Sequence, residues 1–213
     1  MVDVNKTERL LFKYFDVTGS HTIDEKTGQV HVHGSVRCIR KLPKGLFPIT
    51  FGIVDGTFTC EGSGCKSLVG APDHVGEYFD CRKNKLINLQ GAPSHVGKGF
   101  HCGENQITTL AHMPTHTGGF FWCYENPLES LVGWDAPVHV GGEFWCTYTS
   151  ELPLLRCLQA SKVDVVTGST NKTGPQANAV QKILDKYVGK GKAAMLNCAL
   201  ELKQADLRGN AAW

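Results

Sequence analysis

Two residue types capable of chemistry recur at fixed intervals. Cys60, Cys81, Cys102 and Cys123 stand 21 residues apart, and Cys146 follows after 23. His74, His95, His116 and His139 form a second series on nearly the same period. Thiolates and imidazoles ligate zinc and serve as nucleophile and base in covalent catalysis. The spacing argues against both uses. A zinc ion needs several ligands converging within about 2.0–2.3 Å, and no CxxC pair is present. A residue that returns once per repeat builds a column, not a cluster. The cysteines therefore read as small buried apolar groups, and the histidines as a surface ladder up one edge. Cys65 fills the slot of Leu86 in the next unit, which again points to packing. There is no Ser-His-Asp order with an elbow motif, no phosphate loop and no H-E-x-x-H. No catalytic residue, metal or cofactor is assigned.

The elements that carry these columns follow from one unit: Leu86, Leu89, Gly91, Ala92, Pro93, His95, Val96, Gly97, Phe100, Cys102 and Asn105. The pattern repeats four times, with Phe58 and Cys60 as an opening half unit and Leu152 and Leu155 as a closing one. Phe-x-Cys has period two, so both side chains share one face of an extended segment. Asn then turns the chain. Leu-x-x-Leu supplies a second wall, and Gly-Ala-Pro a second corner. One coil has almost no interior, so stability must come from stacking. The expected core is Phe58, Phe79, Phe100, Phe121 and Phe144, with Leu68, Leu89, Leu110 and Leu131 and with Cys60, Cys81, Cys102, Cys123 and Cys146. Coils spaced about 4.8 Å apart place their extended segments in parallel sheets. The unit around Leu131 is two residues longer, and Trp134-Asp135 reads as the insertion.

The run Leu-x-x-Leu-x-Gly-Ala-Pro-x-x-Val-Gly-x-x-Phe-x-Cys-x-x-Asn resembles the leucine-rich-repeat-like solenoid proteins encoded by tailed bacteriophages. The resemblance covers about half of the chain closely. The lead-in Val30 to Val36 and the terminus Gly209 to Trp213 share its flavour. It implies a phage origin, a solenoid fold and a protein-binding habit, and no enzyme activity. Twenty-one residues leave little room for a convex helix, so turns or extended chain are expected there.

The fold class is thus a mainly β repeat solenoid with short parallel sheets, a small N-terminal cap and a C-terminal α-helical hairpin. Residues 1–57 are assigned to the cap, 58–157 to the solenoid, and 158–213 to a linker and the hairpin. Residues 6–16 read as a short helix with Leu10, Leu11, Tyr14 and Phe15 as its apolar stripe. Residues 28–38 read as a strand, and Pro43 and Pro48 make the segment from Leu42 to Phe51 irregular. Thr167 to Gln176 reads as a loop, Pro175 as a helix start, and Gly189 and Gly191 as a break. The first helix points Ala179, Val180, Ile183, Leu184 and Tyr187 inward. The hairpin is either a cap on the stack or a docking unit.

The chain of 213 residues is 41% apolar, enough to bury a core, and its net charge of +2 gives no polyanion signal. No run of 18 apolar residues and no leader pattern is seen. The host cytoplasm or the virion is the expected location. Parity points Asp80, His101, Trp122 and Trp145 outward, with Tyr124 two residues beyond Trp122. Aromatic residues on a surface mark interfaces. Trp122, Tyr124 and Trp145, edged by Trp134 and Asp135, are therefore the expected partner-binding residues. The competing reading folds the C-terminal region over these rings. The expected function is non-enzymatic binding of a host or viral protein. A minor virion component, and an enzyme or nuclease using His and Asp on the solenoid face, are the alternatives. Nucleic acid and membrane are not expected partners, and self-association is left open.

Overall fold

The computed structural model describes residues 2–134, 138–160, 162–166, 174–190 and 192–212. Asp135 lies outside them. The chain winds into a mainly β solenoid of about six coils, about 21 residues per turn. It opens with α1 (Val4–Tyr14), β1 (Phe15–Val17) and β2 (Ser20–Ile23). Each coil then contributes one strand to each of two sheets. The pairs are β3 (Val30–His33) with β4 (Val36–Cys38), β5 (Phe51–Val54) with β6 (Phe58–Thr59), and β7 (His74–Val75) with β8 (Tyr78–Asp80). They continue as β9 (His95–Val96) with β10 (Gly99–His101), β11 (His116–Thr117) with β12 (Phe121–Trp122), and β13 (His139–Val140) with β14 (Glu143–Thr147). β15 (Lys162–Val166) extends the row of β14. The long sheet runs β1-β4-β6-β8-β10-β12-β14-β15, and the short one β13-β11-β9-β7-β5-β3-β2. Pairing is parallel except for β1 on β4 and β2 on β3. The third side of each coil, carrying the Leu-x-x-Leu segment, is irregular chain.

The columns read from the sequence are the core. All five phenylalanines, all four leucines and all five cysteines named above are fully buried. The rings stack from Phe58 to Phe144 with centroids 5.4, 5.2, 5.2 and 6.0 Å apart. That spacing follows from the strand separation, because Phe79, Phe100 and Phe121 are direct neighbours in register. Between the two strands of a coil, backbone rests on backbone. A Cβ on Gly97 would lie 2.1 Å from the carbonyl oxygen of Gly76, so only glycine fits there.

The coil register starts earlier than the sequence suggests. Residues 28–38 are not one strand. Gly34 breaks them into β3 and β4, which enter different sheets, and a Cβ on Gly34 would meet Thr18 O at 1.9 Å. Val36 pairs with Phe58, so the first coil begins at Val30 and the cap is α1 with β1 and β2. At α1 the Asp3 carboxylate accepts the Lys6 N–H at 2.9 Å. Leu11 is buried, while Phe15 enters the core from β1 and meets Phe51 edge-on at 5.0 Å.

At the other end α2 (Pro175–Leu184) and α3 (Lys192–Gln204) form the hairpin. Ala177, Val180, Ile183 and Leu184 are buried; the inward stripe therefore uses Ala177 where the sequence suggests Ala179. Gln181 Nε2 donates to the Val163 carbonyl at 2.6 Å, covering a polar group of the last strand. Tyr187 Oη donates to Glu201 Oε2 at 2.8 Å and ties the two helices together. The hairpin thus packs on β15 as a cap, the role repeat ends require.

A ladder of buried asparagines fastens the coils. Asn105 Nδ2 donates to Cys81 O at 3.0 Å and Cys102 O at 3.1 Å, and its Oδ1 accepts the Leu86 N–H at 3.0 Å. Asn84 and Asn126 repeat the three contacts one coil earlier and one later. The residue before each, Lys83, Glu104 or Glu125, has φ of 56°, 56° or 51°. At the Gly-Ala-Pro corner Gly70, Gly91 and Gly133 are left-handed, with His112 at φ 66° in the same position. Replacing Asn105 with Ala removes partners from three backbone groups, and urea unfolding is expected to show a loss of about 3 kcal/mol or more. A loss under about 1 kcal/mol would contradict the ladder's role. His112→Gly relieves a left-handed side chain and is expected to raise stability by about 0.5–1 kcal/mol, net of glycine's entropy. A fall in the unfolding midpoint would refute that account.

Candidate functional site

The inward columns leave the opposite parity of the long sheet facing out. In register across β8, β10, β12, β14 and β15 this column reads Asp80, His101, Trp122, Trp145 and Asp164. Trp122 and Trp145 meet edge-on at 5.3 Å, and Tyr124 tilts against Trp145 at 5.0 Å. The three expected aromatic residues therefore lie together, each half-buried. Two further rings join them. Phe120 stacks on Trp122 at 4.0 Å and on Tyr78 at 5.8 Å. It lies across Gly99, where a Cβ would come within 2.5 Å of the ring. Tyr78 is 41% exposed, the most open ring of the group. The signal for Phe120 was the doublet Phe120-Phe121, whose members must face opposite ways in a strand. His101 stands edge-on to Trp122 at 5.3 Å and is 5% exposed, with Nε2 3.1 Å from Tyr124 Oη. It points out of the sheet, as parity requires, yet its neighbours cover it.

Trp134 does not belong to this face. It is 1% exposed and meets Phe144 edge-on at 4.5 Å inside the coil. The residue after the left-handed corner residue is buried at Ala71, Met113 and Trp134 and half-buried at Ala92. Ala71, Ala92, Met113 and Trp134 each donate their N–H to the leucine three residues back, at 2.8, 2.9, 3.0 and 3.0 Å. Trp134 is thus in phase with the 21-residue period, and the extra residues come after it.

Charges rim the aromatic patch. Arg82 bridges Glu61 at 3.0 Å and Asp80 at 3.2 Å, and Lys83 holds the other Glu61 oxygen at 3.0 Å. Burial raises the Asp80 carboxyl despite Arg82. On the far side Trp122 Nε1 donates to Glu143 Oε2 at 3.0 Å. Lys162 lies 2.7 Å from both Glu143 and Asp164. The hydrogen bond with Asp164 lowers Glu143, while burial and that same bond raise Asp164. The patch is aromatic at its centre, with paired charges around it.

The histidine ladder stands on the short sheet. His74, His95, His116 and His139 stack with centroids 5.0, 4.4 and 5.0 Å apart and planes within 9°, 3° and 21° of parallel. Ile53 precedes His74 in register. His116 is lowered by burial and then by His95 and His139. Among the described residues no three His, Cys, Asp or Glu side chains are grouped to hold a metal ion. All nine cysteines are free, and eight are buried. Burial raises Cys146 to about 12 and Cys198 to about 11, away from the thiolate form that reacts.

Burial, followed by the charge of Arg82, lowers His101 to about 4. Folding therefore favours its neutral form. The stability this contributes is complete above the ordinary value of 6.5 and is lost as pH falls towards 4, because the unfolded chain takes up the proton first. Unfolding free energy is expected to drop by about 3 kcal/mol across that window from this group, with His116 acting in the same direction. Urea titrations at stepped pH check it. His101→Gln should flatten the slope; an unchanged slope would assign the effect to other groups.

Comparison with protein-family models, with curated proteins and with solved structures finds no match to this chain.

Proposed function

We propose that this chain is a non-enzymatic interaction protein that holds a protein partner against the aromatic end of its long sheet. The observation that carries the reading is the cluster of Tyr78, Phe120, Trp122, Tyr124 and Trp145 on one outward face. Large rings on a rigid support, ringed by paired charges, are the composition of binding hot spots. They lose little side-chain freedom on contact because strand register and mutual stacking already fix them. The resemblance to solenoid proteins of tailed phages supports a phage origin, and with it a host or viral protein as the partner. No described helix is long and apolar enough to cross a membrane.

A photo-cross-linking residue placed at Tyr78 tests the face, with Ile53 on the short sheet as control. The Tyr78 position is expected to capture a partner that the Ile53 position does not. The double change Trp122→Ser and Trp145→Ser should then weaken binding of that partner by at least about tenfold. Its unfolding free energy should fall by no more than about 2 kcal/mol, since both rings are only half-buried. Capture from Ile53 alone, or unchanged binding by the double variant, would move the interface elsewhere.

A further inference from the structure

Charge is segregated along the solenoid axis. Residues 37–98 hold nine Lys or Arg against five Asp or Glu, a net of +4. Residues 99–155 hold no Lys or Arg and six Asp or Glu, a net of −6. The asparagine corner displays this division as a strip. Gly62, Lys83, Glu104 and Glu125 occupy one turn position in successive coils, with φ of 59°, 56°, 56° and 51°. Lys41 precedes them and donates through Nζ to Gly62 O. Lys66 and Lys85 flank the basic half and are exposed, and Glu129 flanks the acidic half and is exposed. Glu61 engages Arg82 and Lys83. Lys41, Lys66 and Lys85, like Glu104, Glu125 and Glu129, make no ion pair among the described residues.

We infer that two copies of this chain pair side by side and antiparallel along this corner. A strip that is basic over one half and acidic over the other is complementary to itself when rotated by a two-fold axis through its midpoint. That midpoint falls between Lys83 and Glu104. The operation sets the Lys66 and Lys85 end of each copy over the Glu104 to Glu129 end of the other. This is the isologous contact of a two-fold dimer, and the turns that present the charges are held rigid by the asparagine ladder. A polyanion, for its part, would satisfy the basic half and be repelled by the acidic one.

Surface pairs are individually weak and screened by salt, so the dimer forms at high concentration and low ionic strength. Sedimentation analysis of the full chain at about 100 µM is expected to give a dimer in about 20 mM salt and a monomer in about 500 mM. Lys66→Glu with Lys85→Glu should give a monomer in low salt, as should Glu125→Lys with Glu129→Lys. An equimolar mixture of the two variants should restore the dimer, which misfolded variants would not do. A monomeric wild type in low salt, a dimer indifferent to salt, or a mixture that stays monomeric would overturn the pairing.

Discussion

Three successive coils each depend on one buried carboxamide, that of Asn84, Asn105 or Asn126. The turn that follows each Phe-x-Cys segment withdraws backbone groups from water without giving them strand partners, and such groups are costly to leave unpaired. The asparagine at that turn answers three of them at once, two carbonyls through Nδ2 and one N–H through Oδ1. One of those carbonyls and the N–H belong to the preceding coil, so the same contact that closes a turn also fixes the spacing of the stack. At the start of the series Ser63 takes this position and is itself buried beside Asn84. Past the last coil the chain supplies an asparagine from elsewhere. Asn210 comes in from the C-terminal tail and donates to Thr149 O and Leu152 O, both at 2.9 Å. The ladder therefore joins the cap to the repeats, and the tail is part of the stack.

The outer face inherits its order from this interior. With Phe and Cys committed inward, parity leaves no freedom to the residues between them. Gly99 and Gly103 then decide what the exposed side looks like. Both lack side chains on the outward face, and the rings of the next coil lean into the space: Phe120 over Gly99, and Tyr124 beside Gly103, where a Cβ would meet its ring at 3.3 Å. The aromatic group is a consequence of two small residues as much as of five large ones. The rings cover one another and shelter His101, whose pKa falls for that reason.

Legibility followed periodicity. The Phe, Leu, Cys and His columns were visible because the same residue type returns at the same spacing, and burial in a stacked fold acts on every coil alike. The first coil was not, because Val36 stands where later coils have Phe and no Gly-Ala-Pro corner announces it. Its register is set by a glycine, Gly34, whose role depends on a backbone atom 16 residues away in sequence. The later Ala136-Pro137 mimics the repeat's Ala-Pro corner and so sets Trp134 apart, although Ala71, Ala92, Met113 and Trp134 keep the period unbroken. The direction of His101 is legible but its burial is not, since covering by Trp122 and Tyr124 is a property of two neighbouring coils together. The asparagines were legible as turn formers. Their second role, between coils, needs the neighbouring coil in view.

A solenoid of this size has a filled interior, so its chemistry must be presented on side faces, and the two sheets present different kinds. On the short sheet the imidazoles stack face to face, each offering its neighbours the same charge on protonation. Within that column burial, and then His95 and His139, lower His116. On the long sheet His101 meets Trp122 by its edge and Tyr124 through a ring nitrogen, an arrangement held by unlike neighbours. Repetition of one residue type produces the first surface, and its loss across coils produces the second. The coils from β8 to β14 keep their inward residues nearly constant while the outward column changes from Asp80 to His101 to Trp122. Variation confined to one face of an otherwise invariant repeat leaves the packing unchanged, and that face can acquire recognition without cost to the stack that supports it.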